Sequence, residues 1–172
     1  MSAQELLVRR AQRLSQSAAL FREPVRTVEL LCFHIAGEPY TLETRFTFSV
    51  MQRAKPAAMP GLPSHFLGIL GVQGEIVPVI DLAAIWRKAG GRPETPSAVI
   101  LGIDAPEFAI VVDALDELVR VPELELASAP ALQDHNDLVT RLIRGMSLLD
   151  GAAMLEDRRF SVQLPDEQRG VS

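Results

Sequence analysis

The chain has 172 residues, 48% hydrophobic and 23% charged, with a formal net charge of −5. That length and balance describe one soluble globular domain able to bury its own core, and exclude a low-complexity or collagen-like chain. The acidic balance, without any basic patch interleaved with aromatics, excludes nucleic-acid binding, and the single cysteine, Cys32, excludes a disulfide framework or a cysteine-spaced metal site.

Residues 2–22 predict an amphipathic helix. Leu7, Ala11, Leu14, Ala18 and Phe21 step by fours and threes along one stripe. Pro24 closes the helix, since the residue before a proline is pushed out of helical geometry. Residues 1–26 hold five arginines against Glu5 and Glu23, a net of +3, which leaves −8 on the remainder of a chain whose total is −5. Three readings of this helix stay open: packing on the chain's own domain, docking on a partner protein, and lying on an anionic membrane surface. Arg9, Arg10, Arg13 and Leu14 are its candidate contact residues. Glu5 and the missing apolar run argue against a secretory signal, so the expected location is cytoplasmic.

From Val28 the period changes to two. VELLCFHIA and YTLE read as a hairpin across Gly37-Glu38-Pro39, with Cys32 and His34 as strand-face residues. Residues 44–51, TRFTFSVM, read as a further strand or a short helical turn. Residues 55–64 hold three prolines and a glycine and must be an irregular connector. Next comes FLGILGVQGEIVPVIDLAAIW, residues 66–86, around which the rest of the chain is organised. It reads as a strand, a Gln73-Gly74 turn, a second strand and an N-cap at Asp81 before a short helix. Pro78 has no amide hydrogen, so its strand must leave one side unpaired there or lie at an edge. The glycines, Pro78, Glu75 and Asp81 argue against a membrane-spanning helix.

Beyond Trp86, KAGGRPETP is a loop by composition. SAVILGI and FAIVV form a second hairpin-like pair, and residues 122–137 read as a surface loop. Residues 138–149 read as two strands around Gly145-Met146, followed by Asp150 and a short helical piece. The tail, 165–172, reads as disordered. VPVIDLAAIW, FAIVVDALDELV and MSLLDGAAMLE share one shape: an apolar strand, an aspartate and a short amphipathic segment. That recurrence predicts a mainly β protein of two related subdomains with small helical inserts.

Asp81, Asp113 and Asp150 are the candidates for a carboxylate constellation, but each stands where the chain turns after a strand, which favours a structural role. Ser147, His65 and Asp150 supply residue types for a triad without a nucleophile elbow. His34, His65 and His135 are not spaced as ligands, and no phosphate-binding loop or metal motif is present. No catalysis, cofactor or metal is expected.

GVQGEIVPVIDLA resembles the signature of CheW-like domains, N-L-R-G-x-I-x-P-V-x-D-L-R. Gly74, Ile76, Pro78, Val79, Asp81 and Leu82 match it; Gly71, Gln73 and Ala83 depart from it. The likeness covers roughly residues 28–164, including the proline-containing connector and a strand ending in Val-Asp followed by a further strand. It implies two small five-stranded SH3-like barrels sharing a core over residues 27–165, with the helix of residues 1–26 before them and a tail of residues 166–172 after. It also implies a non-catalytic adaptor in chemotaxis-type two-component signalling. Such adaptors couple the tips of methyl-accepting chemoreceptors to the regulatory domain of a CheA-type histidine kinase, and join other CheW-like proteins in membrane-associated receptor arrays. Gln73, Gly74 and Glu75 are then the exposed turn that touches a partner, flanked by Val72 and Ile76, with Phe46, Phe48 and Met51 as groove residues. Gln73 replaces a family arginine and so loses a charge and a bidentate donor. That points to a divergent adaptor, serving a pilus, gliding or other chemosensory-type system. Two alternatives remain: a CheW-like module working outside receptor–kinase coupling, and a small β-barrel enzyme whose three aspartates converge.

Overall fold

A computed structural model of the chain describes residues 2–20, 24–132 and 137–162, with the side chains of 16–20 excepted. Ala18's side chain, Phe21, His135 and the tail expectation therefore lie outside the described residues. Helix α1 spans Ala3–Leu20. Strands β1 (Thr27–Ile35) and β2 (Glu38–Glu43) follow, then a 3-10 turn (Thr44–Phe46) and β3 (Thr47–Met51). After the connector come β4 (Phe66–Val72), β5 (Glu75–Ile80), α2 (Leu82–Ile85), β6 (Ser97–Leu101) and β7 (Phe108–Val112). The chain ends in β8 (Ala114–Pro122), α3 (Glu123–Ser128), β9 (Val139–Ile143), β10 (Met146–Leu149) and α4 (Gly151–Glu156).

The strands form two five-stranded sheets, ordered β8-β1-β2-β10-β9 and β3-β6-β7-β5-β4. The first draws on both ends of the chain, and the second is the continuous stretch between them. Each contains one parallel pair, β2 with β10 and β5 with β7, among antiparallel neighbours. Strand periodicity explains the layering, because successive side chains leave opposite faces. Leu31, Phe33 and Ile35 of β1 enter a core shared by both sheets, together with Val99, Leu101, Phe108, Ile110 and Val112. Alternate residues enter smaller private cores: Ala98, Ile100, Ala109 and Val111 within the second sheet, Leu30, Val121 and Leu148 within the first. The two five-stranded units with one common core agree with the expected architecture.

Three hairpins turn on the same backbone. Ala36-Gly37, Gln73-Gly74 and Arg144-Gly145 all have positive φ at both positions, from 49° to 84°, the mirror-image turn that matches strand twist. The first turn thus falls one residue earlier than Gly37-Glu38-Pro39, because Glu38 and Pro39 already pair with β1. The last falls at Arg144-Gly145, with Met146 paired to Ile143. Pro78 is accommodated as its chemistry demands. Ile69, opposite it, directs its N–H and C=O to Ala57 at 2.9 Å each, so the backbone of Pro78 faces away from β4. On that far side β7 pairs only with Val79 and Ile80.

One reading of the chain changes here. Residues 122–137 are not all loop: Glu123–Ser128 is helical. Pro122 presets the entry, and Glu123 and Glu125 in the first turn suit the helix dipole, but six residues are too few to show a period. Asp113 leads directly into β8, the further strand that the resemblance implies after Val-Asp.

Candidate functional site

The three aspartates hold the chain rather than meet. Asp81 Oδ1 accepts from the Ala84 N–H at 3.2 Å and Asp150 Oδ1 from the Ala153 N–H at 3.0 Å, each as an N-cap. Asp113 Oδ2 accepts from the Gly37 N–H at 2.9 Å and so ties down the β1–β2 turn. Asp81 also faces Arg92, with Oδ2 3.4 Å from Nε. Among the described residues no three His, Cys, Asp or Glu side chains are grouped to hold a metal ion. His34 Nδ1 lies 2.7 Å from Asp116 Oδ2 on the outer face of the first sheet. Cys32 is buried nearby, and desolvation raises its thiol pKa; the deprotonated form is disfavoured there.

The residues proposed to touch partners fall in three places. At the β4–β5 tip, Gln73, Gly74 and Glu75 are exposed, while Val72 is buried in the private core of the second sheet. Ile76, across the strand from Gly71, stands 59% exposed. It lines a cleft of about 180 Å³ with Met59, Leu62, Ile69 and Pro78, on the side where β5 lacks a β7 partner. Phe46 does not join Phe48 and Met51. It is buried in the shared core with the Arg45 guanidinium 4.5 Å from its ring centre, whereas Phe48 and Met51 pack against the private core of the second sheet. Arg9, Arg10, Arg13 and Leu14 are exposed on α1, well away in sequence from either group.

Phe46 instead contributes to the floor of a larger groove, of about 760 Å³, between the start of β1, the 3-10 turn, α3 and the β10–α4 corner. Gly151 makes the floor possible, since a Cβ there would stand 2.4 Å from the Phe46 ring. Glu29, Glu43, Glu123 and Asp150 line the groove against Arg45 and Arg141. Arg45 is taken up by Glu43 at 2.6 Å, and Arg141 Nη1 donates to the Ala127 and Ala129 carbonyls at 3.0 and 2.7 Å. Sequence reasoning missed this groove. Its walls come from segments more than a hundred residues apart, and one of them, α3, was read as loop.

Exposed turns, a mixed polar and apolar cleft and an open groove, with Asp81, Asp113 and Asp150 committed to caps and turns, describe a protein-binding module. The chain matches the CheW-like domain family over residues 29–159, and it belongs to that family. It is 25% identical over 150 residues to the chemotaxis protein CheW of Bacillus subtilis, covering 81% of this chain and 94% of that one. Protein FrzA of Myxococcus xanthus is 24% identical over 103 residues, 59% of this chain and 64% of its own. The crystal structure of the scaffolding protein TtCheW from Thermoanaerobacter tengcongensis superposes with a TM-score of 0.66 at 18% identity, covering 81% of this chain and 99% of that one. That likeness establishes the fold. Among the described residues no helix is long and apolar enough to cross a membrane.

Proposed function

We propose that this chain is a non-catalytic cytoplasmic scaffold of a chemotaxis-type system, coupling a chemoreceptor tip to the regulatory domain of a CheA-type histidine kinase. The β4–β5 hairpin carries the kinase contact and the 760 Å³ groove receives the receptor. The observation that supports this most is the hairpin tip: a family signature whose turn is exposed and whose apolar Ile76 stands in solvent beside a cleft that Glu107 and Ser161 also line. An exposed apolar anchor rimmed by Gln73 and Glu75 is the composition of a moderate-affinity interface. Gln73 offers hydrogen bonds without charge where the family usually places arginine, which adjusts partner choice without touching the fold.

The test is binding of the full chain to the CheW-like regulatory domain of its host's kinase, by calorimetry. Ile76→Asp is expected to weaken binding tenfold or more, in keeping with about 1–3 kcal/mol at an apolar anchor, while circular dichroism stays unchanged. Gln73→Arg is expected to alter affinity for the kinase domain or the receptor. If wild-type and both variants bind alike, the hairpin is not the contact. If nothing binds, the fold serves a module outside kinase coupling.

A further inference from the structure

Half of the exposed large apolar side chains gather in two places. Leu6, Leu7, Val8 and Leu14 stand 50–72% exposed on α1, and Val25 and Leu124 are 71% and 79% exposed. Val25 and Leu124 adjoin the lining of the 760 Å³ groove and flank the hydrogen bond from the Glu123 N–H to the Arg26 carbonyl at 2.9 Å. The two apolar surfaces carry opposite charge. Arg9, Arg10 and Arg13 on α1 form no ion pair among the described residues. Of the four carboxylates in the groove, Glu43 engages Arg45, Glu29 engages Arg120 at 3.2 Å and Asp150 caps α4, so Glu123 is the one with neither an ion pair nor a cap to hold among the described residues. Glu123 at its edge is exposed. A helix is roughly 10–12 Å across and rises about 5.4 Å per turn, so the groove takes about one and a half of the roughly two turns that run from Leu7 to Leu14. In the structure α1 does not lie against its own body, since residues 2–15 are all exposed.

We propose that α1 of one copy seats Leu7, Ala11 and Leu14 in the groove of a second copy, with its arginines facing Glu123, and that the exchange is reciprocal. Charge complementarity and matched apolar faces select this occupant, because a helix of net positive charge is drawn to a body of net charge −8. A two-fold exchange uses the same pair of surfaces twice. A helix seated there would compete with a receptor for the same groove, and the test contains no receptor or kinase, so the two readings can fail separately.

The experiment is sedimentation velocity on the full chain across a concentration series, at low salt and at about 1 M salt, where exposed charges are screened within about 3 Å. A dimer at low salt that weakens tenfold or more at high salt is expected. Leu7→Asp with Leu14→Asp is expected to give a monomer of unchanged circular dichroism in the strand region. Arg10→Glu and Glu123→Arg should each weaken the dimer, and the two together should recover roughly threefold or more, the signature of a direct pair. A monomer at every concentration overturns the proposal, whether the helix then binds its own groove or an anionic vesicle. A dimer lost with the leucines but indifferent to Glu123→Arg overturns the groove as the seat and leaves helix–helix pairing.

Discussion

The β1–β2 and β4–β5 hairpins are built alike and used differently. Both close on a two-residue turn ending in glycine, with positive φ at each position. The β1–β2 turn is tied to the β7–β8 junction by Asp113, and its strand sends Leu31, Phe33 and Ile35 into the shared core. The β4–β5 turn has exposed residues throughout, and its strand leaves Ile76 in solvent. Turn chemistry therefore sets the shape of a hairpin, and its surroundings decide whether the hairpin is scaffold or contact.

The comparison breaks most severely at Phe33, which is fully buried. Phe33→Ala is expected to cost about 3–5 kcal/mol, read by urea unfolding followed through Trp86, whose ring stacks on Tyr40 with centroids 5.2 Å apart. Ile76→Asp in the same assay should stay within about 0.5 kcal/mol. Next in size is Gly68, the footing of the β4–β5 hairpin, where an added Cβ would lie 2.1 Å from the Ala57 carbonyl oxygen at a φ of 141°. Gly68→Ala should cost about 2–3 kcal/mol and loosen the connector that covers the β4 edge. Asp113→Ala leaves the Gly37 N–H without its partner and should cost about 1 kcal/mol; hydrogen exchange at Gly37 should quicken while that at Gln73 and Gly74 does not.

The smallest effect expected is a pH dependence. Side-chain hydrogen bonds from Arg159 hold the Asp157 carboxyl below its usual range. Because the folded value is depressed, the stabilisation is present above the unfolded carboxyl pKa of about 4 and is lost as pH falls through the folded value. Asp157→Asn should lower stability at neutral pH and leave it nearly unchanged below the folded value, which flattens the acid limb of a stability–pH curve.

The β4–β5 hairpin was legible because everything that shapes it is local: a glycine turn, β-branched strands, and a proline whose missing amide hydrogen forces an unpaired side. The N-caps at Asp81 and Asp150 were legible for the same reason. Two recurrent strand–aspartate segments continue as helix, and the third continues as the nine-residue strand β8 paired with β1, the further strand that the resemblance implied. Phe46 was read as a groove residue alongside Phe48, three positions from Met51. Its burial depends on the space left by Gly151, a fact no local pattern carries. The groove it floors was illegible on the same ground, and so was the exposure of Leu124 on a helix too short to announce itself.

The assignment of the first sheet to both ends of the chain bears on synthesis. β1 and β2 leave the ribosome first, yet their neighbours β8 and β10 lie at residues 114–149 and leave last. The second sheet, drawn wholly from residues 47–112, can complete its pairing while β1 and β2 still wait. The early hairpin thus keeps both of its outer edges open until the second sheet has been made, and β8 then closes the β1 edge before β10 closes the β2 edge.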